Sequence, residues 1–520
     1  MANSTGTGGT FFGHPKGLAT LFFTEMWERF SYYGMRALLI LFMTTAAIEG
    51  GLGFDDLTAG AIYGLYTMGV YLLALPGGWL ADHIIGLKKS VWYGGIVIAI
   101  GHFTMGIPGI VGLFSSAEHA GVTALDTYSF FLGLVFIVVG TGMLKPNVSS
   151  IVGELYGGDK DEDSAKRDAG FSIFYMGINV GALLAPIITS FLAENIDWHL
   201  GFGAAGLGMV LGLIQYKLTD KNLEGYGDAP VYKTPEEQVK AKKTANIAKI
   251  VGAVSVFIVA LFFFGVIRID AQGIANISKY IIAVTALLYF GYVFLFGGLT
   301  REEKGKVGVI GLLLIFSALF WSGFEQAGST LNLFAERFTD RTVFGWEIPA
   351  GMFQSINSFF IIMFAPVFGA MWVWLAKRNL EPSSPLKFAF GLILLGMGFL
   401  VMYFAAKIAA SGDLAAPTWL IMTYMLHTFG ELSLSPVGLS LVTKLSPHRY
   451  VGQMMGMWFL AVALGNLFAG LIAGHLSGGT EEALAQMPSQ YMLIVYTTVG
   501  AGVLLLLISK PVRKLMGNVH

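Results

Sequence analysis

The sequence predicts an all-α membrane protein with fourteen transmembrane helices. Three observations carry that expectation. Of 520 residues, 55% are hydrophobic and 12% charged, with a mean hydropathy of +0.67, whereas soluble domains carry about 25% charged residues. The apolar runs are continuous and about 20 residues or longer, the length one helix needs to cross a bilayer; an outer-membrane barrel would show alternating segments of about ten. Glycine, at 68 residues, is about twice its usual share of roughly 7%. Dispersed through apolar segments, it lets helices approach closely where no hydrophobic force drives them together. The absence of cysteine excludes a secreted disulfide scaffold. Balanced charge, 32 basic against 33 acidic residues, speaks against nucleic acid as a partner.

Run length places the spans at roughly 17–45, 57–82, 88–110, 127–153, 169–194, 200–217, 247–267, 277–299, 307–335, 350–376, 387–410, 417–443, 451–475 and 490–510. Residues 1–16 are rich in Gly, Thr and Ser and lack the basic start, short apolar run and cleavage site of a signal peptide, so none is expected. With the N-terminus in the cytoplasm, 24 of the 32 cations face inward. Five face outward (Arg268, Lys279, Arg337, Arg341 and Lys407), and Arg29, Arg36 and Lys145 lie inside spans. Lys/Arg asymmetry sets orientation, so both termini are expected inside. The polar stretch 217–249 separates six spans from eight and reads as a cytoplasmic linker. Spans seven and eight hold no ionisable residue before their ends and read as a spacer hairpin. The expected division is therefore 1–217, 218–306 and 307–520. A faint echo between Pro76-Gly77-Gly78-Trp79-Leu80 and Pro366, Gly369, Trp372 and Leu375 agrees with two related halves.

Function is sought where charge enters the membrane. An ionised side chain at mid-bilayer costs about 2.5–3.5 kcal/mol on insertion scales, so each needs a partner or a task. Seven stand out: Glu25, Glu28, Arg29 and Arg36 in span one, Lys145 in span four, Glu325 in span nine and Glu431 in span twelve. At about 100° per residue, Glu25, Glu28, Arg29, Tyr32 and Arg36 share an arc of roughly 100°. That stripe runs about 16 Å along the helix. It must face protein or water. Glu25 and Arg29, four apart, can satisfy each other; Arg36 has no acid three or four residues away and must find one elsewhere. Opposite charges divided between the halves suit a gate, pairing when one side closes and parting when it opens. Four carboxylates against three cations leave one negative charge. One bound proton would neutralise it and a zwitterion would leave it unchanged, which suits proton-driven uptake of a zwitterion.

Other candidates are weaker. His102 reads as hydrogen-bonded packing, and His427 lies on the face of Glu431, four residues on. No His-Glu-x-x-His or Gly-x-Ser-x-Gly pattern occurs, and Trp321-Ser322-Gly323 has no evident base. An enzyme is therefore not expected. Charges of mixed sign argue against a channel, which would line its pore with like charge. Tyr32, Tyr33, Tyr71, Trp321, Trp458 and Phe459 are candidates to line a pocket.

These residues closely resemble the proton-dependent oligopeptide transporter family of the major facilitator superfamily. Glu25-x-x-Glu28-Arg29-Phe30-x-Tyr32-Tyr33-Gly34 is similar to its first-helix signature. Gly77-Gly78-Trp79-Leu80-Ala81-Asp82-His83-x-x-Gly86 resembles the superfamily loop after helix two, with His83 where Arg is commoner. Phe174-Tyr175-x-x-Ile178-Asn179-Val180-Gly181 resembles the fifth-helix motif, with Ala182 where Ser is usual, and Gly430-Glu431-Leu432-x-x-Ser435-Pro436 the tenth-helix motif. Lys145-Pro146-Asn147 and Glu325 complete a set running in order from 25 to 436.

The resemblance implies the major facilitator fold, two six-helix bundles plus an extra hairpin, and symport of di- and tripeptides with protons. It implies that Arg36 and Lys145 attract the peptide carboxylate, that Glu431 receives the amino group, and that Asn179 and Asn357 bond the ends. Tyr32, Tyr33, Tyr71, Trp321, Trp458 and Phe459 would shape the site, with Asn147 and Ser435 of the motifs beside them. Glu25, Glu28, Arg29, Lys145 and Glu325 would couple protons, and Arg36–Glu325 and Lys145–Glu431 would be gate pairs. Span two lacks the His of animal members, so carboxylates are expected to carry the proton. Independently, fixing the backbone termini common to all short peptides gives broad specificity. Desolvated carboxylates hold protons more tightly than exposed ones. No cofactor is implied beyond the proton. A monomer in a bacterial inner membrane is expected. The alternative cargo on the same fold is another small zwitterion or an anion, an amino-acid derivative or nitrate.

Overall fold

The computed structural model describes residues 10–114, 122–157, 164–267, 270–476 and 480–517. Arg268, and Lys160, one of the 24 cations expected to face inward, lie outside the described residues. Sixteen helices occur in the order α1 (Lys16–Thr44), α2 (Asp56–Leu72), α3 (Ala74–Leu80), α4 (Leu87–Phe114), α5 (Ala124–Glu154), α6 (Ser164–Asn195), α7 (Trp198–Thr219) and α8 (Pro235–Phe263), then α9 (Ala271–Phe296), α10 (Arg301–Phe324), α11 (Thr330–Phe338), α12 (Ser355–Lys377), α13 (Ser384–Ala410), α14 (Thr418–Leu445), α15 (Val451–Leu476) and α16 (Glu481–Met516). Among the described residues twelve spans, two of them built from joined α-helices, are long and apolar enough to cross a membrane. With α1 and α14, 29 and 28 residues long, they account for the fourteen expected runs. Helix starts follow local chemistry. Thr123 with Asp126, Thr234 with Glu237 and Thr300 with Glu303 form reciprocal capping boxes on α5, α8 and α10. Asp55 accepts from the amide and hydroxyl of Thr58 at the head of α2, which holds its carboxyl below the usual carboxylate range.

The chain divides into two compact units, Met1–Met35 with Leu73–His119 and Thr123–Ile269, and Arg36–Leu72 with Ala120–Val122 and Asp270–His520. In the first, α4 and α5 meet through reciprocal glycines. A Cβ on Gly94 would lie 2.7 Å from the Gly140 carbonyl oxygen, and one on Gly140 2.6 Å from that of Gly94. One core joins Leu18, Val91, Val148, Phe174 and Met209 from five helices. In the second, α2 lies against α15. Gly60 and Gly64 face Gly470 and Gly474 so closely that a Cβ on Gly64 would stand 2.8 Å from the Leu467 carbonyl oxygen. Backbones this near exclude any side chain between them.

Four segments depart from the sequence reading. Span two breaks at Leu73, because Pro76 has no N–H to return to the Leu72 carbonyl. Span nine is not one helix: α10 ends at Phe324, a 3₁₀ turn covers Glu325–Gly328, and α11 follows. The stretch 217–249, read as a cytoplasmic linker, is ordered structure along much of its length. Its second half is the start of α8, with Pro235 at the first helical position. Its first half is tied to the first unit: Lys88 pairs with Asp228 at 2.6 Å, the Gly227 amide donates to Glu154 at 2.6 Å, and Tyr232 donates to the His83 carbonyl at 2.7 Å. The fourth is a short hairpin, Thr342–Val343 with Trp346–Glu347, turning at Phe344 and Gly345, both with positive φ. The two extra helices belong to different units. Phe262 and Phe263 of α8 pack on Phe131 and Tyr128 of α5. Ala275 and Ile282 of α9 pack with Ala61 of α2 and Leu467 of α15.

The glycine contacts generate a prediction. Gly64→Val should lower the thermal unfolding midpoint in detergent, since overpacking costs about 1–3 kcal/mol. Gly252→Ala, with nothing within 4 Å of the added Cβ, should leave it unchanged. Equal midpoints for both variants would contradict the close approach of α2 and α15.

Candidate functional site

In the first unit the stripe on α1 is buried as its angular spacing requires. Glu25 and Glu28 are each 1% exposed and Arg29 7%. Arg29 donates from Nε to Glu25 Oε1 at 2.8 Å and closes the pair through Nη2 at 2.7 Å. The same Nε stands 3.2 Å from Glu28 Oε2, but its hydrogen points at Glu25. Both Glu28 oxygens therefore lack a hydrogen bond among the described residues. Lys145, on α5 just before Pro146, lies within electrostatic reach of Glu28. Asn147 is buried, and its amide donates to Ser90 at 2.9 Å and to the Met143 carbonyl at 2.6 Å. Asn147 thus braces α4 against α5, which leaves neither amide hydrogen for a peptide. Asn179 donates back to the Tyr175 carbonyl at 2.9 Å. His102 meets Ser31 at 2.6 Å, the packing role expected of it.

In the second unit Arg36 finds its acid. Its Nη2 lies 3.1 Å from Glu325 Oε2, with both side chains buried. Nε donates to the Tyr63 hydroxyl at 3.0 Å. The distance is that of an ion pair, yet the donor is misaligned, and Glu325 Oε2 has no hydrogen bond among the described residues. The break between α10 and α11 makes this possible. Glu325 opens the 3₁₀ turn that Gly328 closes, and a Cβ on Gly328 would run into the Tyr63 hydroxyl and Arg36 Nε. Asn332 of α11 donates to the Ala37 carbonyl at 2.8 Å, and Arg337 grips Asp56 with two bonds of 2.8 Å. Residues 36–72 are thus held to α11 by three polar ties.

Glu431 on α14 is partly buried, and its Oε2 lies 3.4 Å from the Asn357 amide, which also donates to Thr428 at 2.9 Å. The polar atoms of this unit that are buried without a hydrogen bond among the described residues include Trp321 Nε1 and Ser435 Oγ. Trp458 is buried beside Phe388, and Phe459 is partly buried. Tyr71 packs with the apolar cluster of α2, α9 and α15. Tyr32 is buried and stacks edge-on against partly buried Tyr33. His427 is packed against Phe399 with ring centroids 4.9 Å apart. Arg36 and Glu325 are brought together, as are Asn357 and Glu431. Lys145 and Glu431, the other expected gate pair, belong to different units. Sequence reasoning missed Tyr63, Gly328 and the Asp56–Arg337 clamp. A buried Tyr needs a partner for its hydroxyl, but nothing in the sequence says which. Among the described residues no group of three or more His, Asp or Glu is arranged to hold a metal ion.

Comparison with known proteins sets this geometry in context. A family model described as the POT family matches residues 88–491. The chain is 43% identical over 533 residues to a peptide transporter, YePEPT, of Yersinia enterocolitica subsp. palearctica, covering 100% of this chain and 99% of the relative. It is 35% identical over 531 residues to a di-/tripeptide transporter of Lactococcus lactis subsp. cremoris, covering both chains fully at 100%. Among solved structures, that of a peptide transporter POT in complex with sulfate matches with a TM-score of 0.84 and 38% identity, over 98% of this chain and 97% of the other. A POT family transporter in complex with 5-aminolevulinic acid matches with a TM-score of 0.82 and 32% identity, over 96% of this chain and 98% of the other. The major facilitator fold follows from these likenesses.

The Arg36–Glu325 contact is testable. Removing one partner of a buried pair costs about 3–5 kcal/mol, whereas replacing both by apolar groups is near neutral. Glu325→Ala should therefore sharply lower the unfolding midpoint in detergent, and Arg36→Leu with Glu325→Leu should recover most of it. A double variant no more stable than Glu325→Ala would show that the pair is not the source of the loss.

Proposed function

The chain belongs to the POT family, and from that premise we propose that it is a proton-coupled symporter importing di- and tripeptides by alternating access. It is a multi-pass membrane transporter and not an enzyme, and POT transporters need no cofactor. The observation that carries the proposal is the Arg36–Glu325 pair: a cation and an acid far apart in sequence, both buried, in contact. Two isolated charges cost several kcal/mol each inside a membrane, and contact offsets much of that. A group that can replace one partner, such as a peptide carboxylate at Arg36 or a proton on Glu325, changes the state in which the pair is favoured. That is a coupling free energy between ligand, proton and conformation.

The remaining roles are proposed on the same ground. Arg36 and Lys145 attract the peptide carboxylate. Glu431, held by Asn357, takes the amino group. Asn179, Tyr32, Tyr33, Tyr71, Trp321, Ser435, Trp458 and Phe459 shape the rest of the site. Glu25, Glu28, Arg29, Lys145 and Glu325 couple the proton, with Glu28, buried without a hydrogen bond among the described residues, as its acceptor. Lys145 and Glu431 form the second gate pair. The inward excess of Lys and Arg supports cytoplasmic termini in a bacterial inner membrane. Bundles at 1–217 and 307–520, joined by 218–306, in a monomer complete the proposal. A second reading, another small zwitterion as cargo, is favoured by the relative solved with 5-aminolevulinic acid.

Two experiments decide. In proteoliposomes Glu28→Gln should abolish uphill accumulation under a proton gradient while peptide exchange persists; accumulation at the wild-type level would remove Glu28 from the coupling step. Lys145→Ala and Glu431→Ala should each weaken dipeptide binding at least tenfold, the loss of one charge-assisted contact of about 1.5–3 kcal/mol. Dialanine should compete with labelled uptake and nitrate should not. Competition by nitrate alone would replace the peptide reading with anion transport.

A further inference from the structure

A cavity of about 590 Å³ opens at one end of the second unit, where α12 and α14 finish, α13 begins and α16 approaches its last turn. Lys387, Lys444 and Arg513 converge on it against a single carboxylate, Glu381, with Ser383, Ser384 and Ser440 between them. Lys387 is 9% exposed, anchored by Glu381 at 2.5 Å and by the Trp372 ring at 4.7 Å. Lys444 and Arg513 are exposed and make no ion pair among the described residues. Three like charges sharing one space repel one another, and one carboxylate offsets only part of that. The cavity therefore carries a net positive charge. Ser383 precedes α13 without capping it through its side chain. The N-terminal end of that helix, with its partial positive charge, adds to the same field.

The chemistry of the anion follows from the donors. A guanidinium fork, two ammonium groups and three hydroxyls suit the several oxygens of a phosphate better than the two of a carboxylate. Its source follows from depth. Trp372 meets the cavity through Lys387, and Trp374, two residues on along α12, is half exposed with Arg378 stacked 4.2 Å from its ring. Tryptophan in such a position marks the level of lipid headgroups. Basic pockets between helix ends at that level receive anionic headgroups. We propose that this cavity binds a phosphate-bearing anion through Lys387, Lys444 and Arg513, the phosphodiester of an anionic lipid in the surrounding leaflet or free phosphate. The site is separate from the peptide and proton roles and does not rest on them.

The test uses the full purified chain, stripped of lipid in a neutral detergent. Dioleoyl-phosphatidylglycerol, dioleoyl-phosphatidylcholine and inorganic phosphate are titrated separately, with bound species counted by native mass spectrometry and stabilisation read by thermal unfolding. Each surface cation is worth about a fivefold change in affinity, so Lys444→Gln with Arg513→Gln should weaken phosphatidylglycerol binding about twenty-five-fold. Both side chains are exposed, so the variant should fold. Lys240→Gln with Lys242→Gln, an equal loss of charge on α8, should have no such effect. Glu381→Gln should tighten binding severalfold, which a merely structural role would not produce. Phosphatidylglycerol binding without inorganic phosphate binding supports the lipid source; saturable inorganic phosphate binding lost in the Lys444/Arg513 variant supports the soluble one. Phosphatidylglycerol and phosphatidylcholine bound alike, or an equal loss in the α8 control, would overturn the proposal.

Discussion

The cost of holding an ionised side chain in a low-dielectric layer governs this protein. A lone charge there is penalised by several kcal/mol, more than any one apolar neighbour returns. Arg36, Glu325, Glu25, Glu28 and Arg29 are all nevertheless buried. Arg29 answers the cost locally, through Glu25 one turn away. Arg36 cannot, and its partner is brought from nearly three hundred residues further along the chain. The first solution is a property of one helix and is indifferent to its surroundings. The second exists only while α1 and the α10–α11 break stay in register, which is what makes it able to report a change of conformation.

That register depends on where side chains are missing. Gly328 leaves space for Tyr63 and Arg36 beside the 3₁₀ turn, and Gly60, Gly64, Gly470 and Gly474 let α2 and α15 approach to backbone contact. Irregular backbone at this depth is tolerated because its polar groups are covered by protein. The Tyr424 hydroxyl, for example, reaches the Ala327 carbonyl in the turn at 3.4 Å. Close packing and ion pairing therefore meet at one place: Gly328 leaves the room in which Arg36 Nε and the Tyr63 hydroxyl lie beside the turn that carries Glu325, and Arg337 with Asp56 holds residues 36–72 from their other end.

The extra helices answer to a different rule. α8 presents no buried residue along its length, and α9 only Ala275, Ile282 and Val293. A helical stretch apolar on all sides, such as the later part of α8, needs no protein partner in lipid, so composition there makes a stable span without fixing a precise seat. The polar segment before α8 is better anchored than its composition suggests, because Lys88, Glu154 and His83 each bind it at one point.

Membrane class, the number of spans and the position of each ionised residue were legible in the residues alone, since hydropathy over about twenty positions and the cost of charge are local quantities. So was the Glu25–Arg29 pair, because helical geometry relates positions four apart. What the sequence could not determine is everything that depends on a neighbour far along the chain. That Arg36 pairs with Glu325 and Tyr63, that Asn147 is spent on Ser90 rather than left for a ligand, and that span nine breaks at Glu325 were decided by tertiary packing. The basic cavity of Lys387, Lys444 and Arg513 belongs with them, for its three cations lie on three helices whose ends only the fold brings together.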